Sequence, residues 1–403
     1  MKVKGLLILF LLLAAPTAGV RTFGEEGNDC FYAIQPFGEG YLLAGYTTVP
    51  ENGEEGWLVK VNGRGEKEWE RIFGGRLNQR ILDLEKAGDG MVLAGYTSSG
   101  GAGWRDFLLI RVSAGGEELW GKTYGTEMSD RAYSVLRTGD GFLLAGQTDT
   151  ADRGWDAMVV RVLENGEECW RRTYGGEGHE CIYKILPAEN GWLLAGYTSS
   201  GAGGGWLLRI DESGEPLWQK TLGGKGGEIH AGVRIPNGYV LAGFTSGAGG
   251  RDVYVARIDE NGELEWERTF GGSYDEEGHS IAIVEGGFLV GGWTGSYGEG
   301  GYDAYLIKLD ERGEEVWSQT FGGAGDEFVQ ALLPTGKGFL LAGSTSSWGK
   351  GGSDGMLLFA EEPKAPRVRR YIVIGAGCLA ILFIFLAARK LKVWRSRLST
   401  LDV

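Results

Sequence analysis

Residues 280–323 read SIAIVEGGFLVGGWTGSYGEGGYDAYLIKLDERGEEVWSQTFGG, and this stretch decides the fold. It holds four short apolar or alternating runs, each bounded by Gly, Asn or Asp, and so predicts four strands. The first connection, Gly286-Gly287, is a tight hairpin turn, as is Asn237-Gly238 one repeat earlier. The third connection, Asp310 to Gly313, pairs an Asp that can accept backbone N–H bonds with a Gly that can take positive φ. Moving outward, the tetrapeptide A-G-aromatic-T or a near variant occurs seven times, ending at Thr47, Thr97, Thr148, Thr198, Thr245, Thr294 and Thr345. Successive threonines lie 50, 51, 50, 47, 49 and 51 residues apart. A period near 50 with four strands per period predicts an all-β, seven-bladed β-propeller of four-stranded blades.

A tryptophan recurs in the fourth strand, as Trp69, Trp120, Trp170, Trp218, Trp266 and Trp317. Each is assigned a structural role, docking one blade on the next with roughly 150–250 Å² of buried ring. Six complete W-x-x-T-(F/Y/L)-G-G-like strands serve seven A-G-x-T copies, and the seventh repeat ends at Phe359 without its fourth strand. The missing run appears at the other end as Val20-Arg21-Thr22-Phe23-Gly24. The N-terminal strand is therefore expected to complete the last blade, which removes two exposed sheet edges.

Blades of the form G-G-F-L-L-A-G-Y-T … L-D-x-x-G-x-x-x-W-x-x-T-F-G-G resemble the repeats of prokaryotic secreted β-propeller proteins. The D-x-x-G-x-x-x-W segment is also similar to the tryptophan-docking motif of quinoprotein-type propellers. The resemblance spans about residues 19–360 and implies a fold; propellers of this kind include both binding modules and enzymes. Quinoprotein dehydrogenases typically use eight blades and adjacent cysteines. This chain has seven repeats and no adjacent cysteines, so the resemblance does not imply their cofactor, and none is expected beyond a divalent cation that the carboxylates could hold.

The ends read as targeting segments. Lys2 and Lys4, an apolar run and a small-residue stretch give residues 1–18 as a signal peptide. The propeller ectodomain is assigned to 19–362 and a basic linker to 363–370. Residues 371–388 contain no charge and are long enough for a single transmembrane helix, with 389–403 as a cytoplasmic tail. The expected location is the cell membrane, with the propeller outside. Residues 19–366 carry 30 Lys and Arg against 53 Asp and Glu, a net of −23, which disfavours nucleic acid as a partner. Cysteine is too sparse for a disulfide framework.

Strand alternation places the long Gly-rich loops on one face, where function usually lies. Two sets of residues on that face are candidates. Asp29, Gln79, Asp130, Glu180, Glu228, Glu276 and Glu327 stand at the entry to the first strand. Their six carboxylates either ring the channel mouth and could hold a cation, or accept N–H bonds from their own loops. The aromatics Trp104, Trp155, Tyr274, Tyr297, Tyr302 and Trp348 interrupt the loops irregularly and suit stacking on a sugar or gripping a peptide. The histidines, His179, His230 and His279, fall at three different repeat positions and so predict no shared metal site. No G-x-S-x-G, H-E-x-x-H or phosphate-cradling motif is present. The expected function is a surface binding or scaffold module for an extracellular glycan or protein. The alternative is a carbohydrate-active enzyme using the channel-mouth carboxylates.

Overall fold

The computed structural model describes residues 19–363, apart from 76, 152, 153 and 248. The expected leader, apolar span and tail lie outside the described residues. Among the described residues, no helix is long and apolar enough to cross a membrane. Twenty-eight strands among the described residues, β1 to β28 in chain order, form seven antiparallel four-stranded sheets. Six blades are continuous in sequence, at 30–73, 79–124, 130–174, 180–222, 228–270 and 276–321. The seventh joins β26 (Glu327–Thr335), β27 (Gly338–Thr345) and β28 (Asp354–Ala360) to β1 (Gly19–Phe23). The closing pairing runs from Gly19 opposite Phe359 to Phe23 opposite Gly355. The first strands of neighbouring blades contact one another in a closed cycle, so they are innermost and line the central channel.

The A-G-x-T signature has a geometric cause. Each first strand carries a β-bulge, for example between Ala132 and Ser134 or between Ile182 and Lys184. Beside the bulge its backbone presses on the glycine of the second strand. A Cβ on Gly95 would lie 1.9 Å from the Arg80 carbonyl oxygen, and one on Gly146 would lie 1.8 Å from that of Arg131. Only glycine fits such an approach. The preceding alanine, as at Ala94, Ala145, Ala195 and Ala242, is wholly buried, where a larger side chain would overpack the space between blades.

The fourth-strand tryptophans of blades one to five, Trp69, Trp120, Trp170, Trp218 and Trp266, each dock on the third hairpin of the following blade. A Cβ on Gly116 would come within 2.6 Å of the Trp69 ring, and Gly262 and Gly313 stand in the same relation to Trp218 and Trp266. Gly116, Gly262 and Gly313 also have φ of 81°, 74° and 79°, so both the turn and the ring require glycine. A cation two residues after the tryptophan lies over its ring and pairs with the next blade: Arg71 sits 5.0 Å from the Trp69 centroid and 3.2 Å from Glu117. Where the hairpin opens with Asp, as at Asp211, Asp259 and Asp310, that Asp accepts backbone N–H bonds as expected, Asp310 from Arg312 and Glu314 at 2.8 and 2.9 Å.

Candidate functional site

The channel opens into a cavity of about 850 Å³. Its lining includes Glu54, Arg105 and Arg251 at the starts of third strands and Arg80, Arg131, Glu228 and Glu277 near the starts of first strands. It therefore lies on the face of the Gly-rich loops. Its wall is made where the repeat departs from its own pattern. The ladder partners of the variable A-G-x-T residue define one position per blade: Cys30, Arg80, Arg131, Cys181, Glu228, Glu277 and Phe328. Two residues on, the same strands supply Tyr32, Tyr133, Tyr183, His230 and His279 to the cavity.

Sequence spacing assigned Glu228 to the wrong register. In the other blades the first-strand carboxylate or Gln79 faces the A-G-x-T threonine, as Glu180 faces Thr198 and Glu276 faces Thr294. Glu228 instead faces Phe244. It shares its position with Glu277, and His230 shares its position with His279. The two histidines therefore occupy one repeat position in neighbouring blades, contrary to the expectation of three separate ones. Their ring centroids lie 4.6 Å apart.

The remaining carboxylates lie beneath their loops rather than around the mouth. Asp29, Asp130, Glu180, Glu276 and Glu327 are at most 1 % exposed, and none lines the cavity. Glu276 accepts from Gly272 N at 2.6 Å, Thr294 Oγ1 at 2.7 Å and Ser296 N at 3.0 Å. Glu327 repeats the arrangement with Gly323 and Thr345. The threonine of the signature is thus a clasp between second strand and loop. Burial raises Asp29 and Asp130 above the ordinary carboxylate range. Asp303, at the head of its third strand, is pushed up to about 6 by burial and then by the charge of Glu327.

The loop aromatics do not converge. Trp104 and Tyr274 are 86 % and 65 % exposed. Trp155 stacks on His179 with centroids 4.0 Å apart. Tyr297 donates its hydroxyl to the Gly271 carbonyl at 2.6 Å, and Tyr302 rests on Trp293 and Phe328. Trp348 is exposed, with its ring beside Gly323. None of the six lines the cavity.

The cavity is electrically divided. On the side of blades two and three, Arg80 bonds to Glu54 and stacks on Tyr46, 4.1 Å from its centroid. Arg105 and Arg131 flank the Tyr96 ring at 5.3 and 6.0 Å. Among the described residues neither has a carboxylate within ion-pair distance. Two uncompensated guanidiniums beside an aromatic ring can take a planar anion by paired hydrogen bonds. Across the cavity, His230 Nε2 lies 3.0 Å from Glu228 and His279 Nε2 lies 3.0 Å from Glu277. Glu277 also pairs with Arg251. Burial alone would raise Glu277, but the hydrogen bond with His279, the charges of both histidines and the hydrogen bond from Arg251 hold it below the ordinary value. Burial lowers His279 against the opposing pull of Glu277. Burial pushes Tyr183 well up, so the tyrosines of the wall are neutral donors and acceptors.

No family model matches the chain, and no curated protein matches it. Solved structures do. The WD40 domain of Neurospora crassa Pan2 superposes with a TM-score of 0.52 at 12 % identity, covering 84 % of this chain and 90 % of that one. Chaetomium thermophilum Sqt1 gives 0.50 at 13 % identity, covering 84 % and 97 %. At such identities the likeness establishes the fold alone: the chain is a seven-bladed β-propeller repeat protein.

Proposed function

We propose that this protein is a membrane-anchored surface binding module that holds an extracellular glycan or protein through its central cavity. The observation that carries this reading is the cavity wall. Its charged and aromatic residues differ from blade to blade, so a shared structural task does not account for them. In a body of net charge −23, Arg105 and Arg131 offer the recognised partner an anionic foothold, such as the carboxylate of an acidic sugar or of a peptide. Arg80, Tyr96 and Tyr133 flank it, matching the preference of ligand sites for aromatic walls with few placed polar groups. The anchoring reading rests on the sequence of residues 1–18 and 371–388.

The test is binding of the full-length chain, in detergent, to an array of neutral and acidic glycans and to envelope extracts. Retention of acidic glycans, lost in an Arg105→Ala, Arg131→Ala double variant of unchanged melting temperature, supports the glycan form. Retention of a polypeptide with the same dependence supports the protein form. Ligand retention indifferent to both arginines refutes the cavity as the site. Turnover of a captured glycan would instead favour the enzyme reading.

A further inference from the structure

We infer that His230, Glu277 and His279 form a binding site for a divalent transition-metal ion of the zinc class, with an open coordination position facing the cavity. One ligand atom from each of these residues lies within 4.8 Å of the others. A tetrahedral metal with bonds of about 2.0–2.1 Å holds its ligands roughly 3.3 Å apart, so closing the set asks for side-chain shifts of about an ångström. Two histidines and one carboxylate, with a vacant fourth direction, are the donor types and number of an open zinc site. They come from two rigid adjacent strands, β18 (Glu228–Ile235) and β22 (Glu276–Val284).

Two further observations point to a cation. His230 has Nε2 on Glu228, yet its Nδ1 is buried without a hydrogen-bond partner. An imidazole that donates one N–H to a carboxylate and keeps its other nitrogen free is the arrangement in which metal-ligating histidines are oriented and made more basic. Second, His279 Nε2 lies within hydrogen-bond distance of both Trp293 Nε1, at 3.2 Å, and Glu277 Oε2, at 3.0 Å. With a lone pair that nitrogen faces a carboxylate oxygen, and with a proton it faces the indole N–H, so neither protonation state satisfies both contacts. Arg251 engages the other Glu277 oxygen, Oε1. A cation held between His279 Nε2 and Glu277 turns their contact into attraction.

The site lies where E-x-H falls at the start of the first strand, as Glu228-Ile229-His230 and Glu277-Gly278-His279; the third copy, Glu177-Gly178-His179, lies in the loop before its first strand. It stands independently of which ligand the cavity takes. A metal with a vacant position would add a second anchor opposite Arg105 and Arg131, for a donor group on the same partner.

The test uses the full-length chain stripped with chelator, titrated with Zn²⁺ by calorimetry and with Co²⁺ by visible absorption. One equivalent of each is expected, with Co²⁺ giving the intense visible bands of a low-coordinate site. His230→Ala and His279→Ala should each abolish binding, and Glu228→Gln should weaken it about 10–100-fold. His179→Ala, the third histidine, should leave it unchanged. X-ray absorption at the zinc edge of the unsubstituted protein should find two imidazoles, a measurement that does not depend on any variant folding. Absence of stoichiometric binding, survival of binding in the His230→Ala, His279→Ala double variant, or a zinc shell without imidazole would overturn the proposal.

Discussion

Phe359 of blade seven lies against Gly65 of blade one, where a Cβ would fall 2.7 Å from its Cζ. This is the contact that a fourth-strand tryptophan makes at the other blade junctions. The closing strand has Gly19 at the tryptophan position, opposite Phe359, so the neighbouring strand supplies the ring. At the junction before it, Trp317 finds no third hairpin in blade seven. Its indole is 1 % exposed and donates to Glu362 at 3.2 Å. The seam is thus closed by two substitutes for the repeat's own latch. Phe359→Ala is expected to cost about 3–4 kcal/mol, read as a lowered midpoint in urea unfolding. Glu362→Gln should change it by less than about 1 kcal/mol.

Removing residues 19–23 takes away the fourth strand of blade seven and uncovers the edge of β28. The expected result is a sharp fall in melting temperature with concentration-dependent association, both readable by calorimetry and light scattering. An unchanged melting temperature would mean that the ring does not rely on its N-terminal strand.

Gly95→Ala adds one methyl group and is expected to cost more than about 3 kcal/mol, because its Cβ meets a backbone carbonyl that belongs to the bulge and has no room to retreat. The same change at Gly139, whose Cβ would meet nothing within 4 Å, should be nearly neutral. A urea series on the two variants checks the contrast.

Asp303 supplies a pH test. Its carboxyl is raised to about 6 in the folded chain from an ordinary 3.8, so the native state binds more protons than the unfolded state between roughly pH 4 and 6. Stability contributed by the protonated form is present at the acid end of that window and lost as pH rises through it. Asp303→Asn should therefore be more stable than the parent at pH 7. That advantage should disappear at about pH 4, where both side chains are neutral. Melting temperatures at the two pH values decide it.

The ring was legible because its periodic residues answer to local forces. The signature glycine answers to a bulge, its threonine to a loop carboxylate, the tryptophan to the next blade's hairpin. Each is repeated, so seven copies average out their exceptions. The site was not legible for the complementary reason. Its residues are the exceptions, and reading them requires the register to be right in a single blade. Counting from the loop entry set Glu228 beside Glu180. In blade five the interval from that glutamate to the A-G-x-T threonine is one residue shorter than in the other blades, so Glu228 steps round to the channel. Counting back from the threonine gives fifteen residues to both His230 and His279, a signal that was available. The pairing of Arg105 with Arg131 across Tyr96 had no such signal, since the two come from a third strand and a first strand of adjacent blades. The irregular loop aromatics also depart from the repeat, but none of the six lines the cavity.

The join at blade seven also sets a timetable. Blades one to six are each made from one stretch of chain and can form as that stretch leaves the ribosome. β1 is synthesised first and cannot pair until β28 emerges, more than 330 residues later. A long-range pairing of this kind comes late in folding, since the intervening loop entropy must be met before the contact is made. Any chain interrupted short of residue 354 keeps β1 unpaired and Trp317 uncovered. A fragment without β28 therefore leaves on show apolar surface that the closed ring covers.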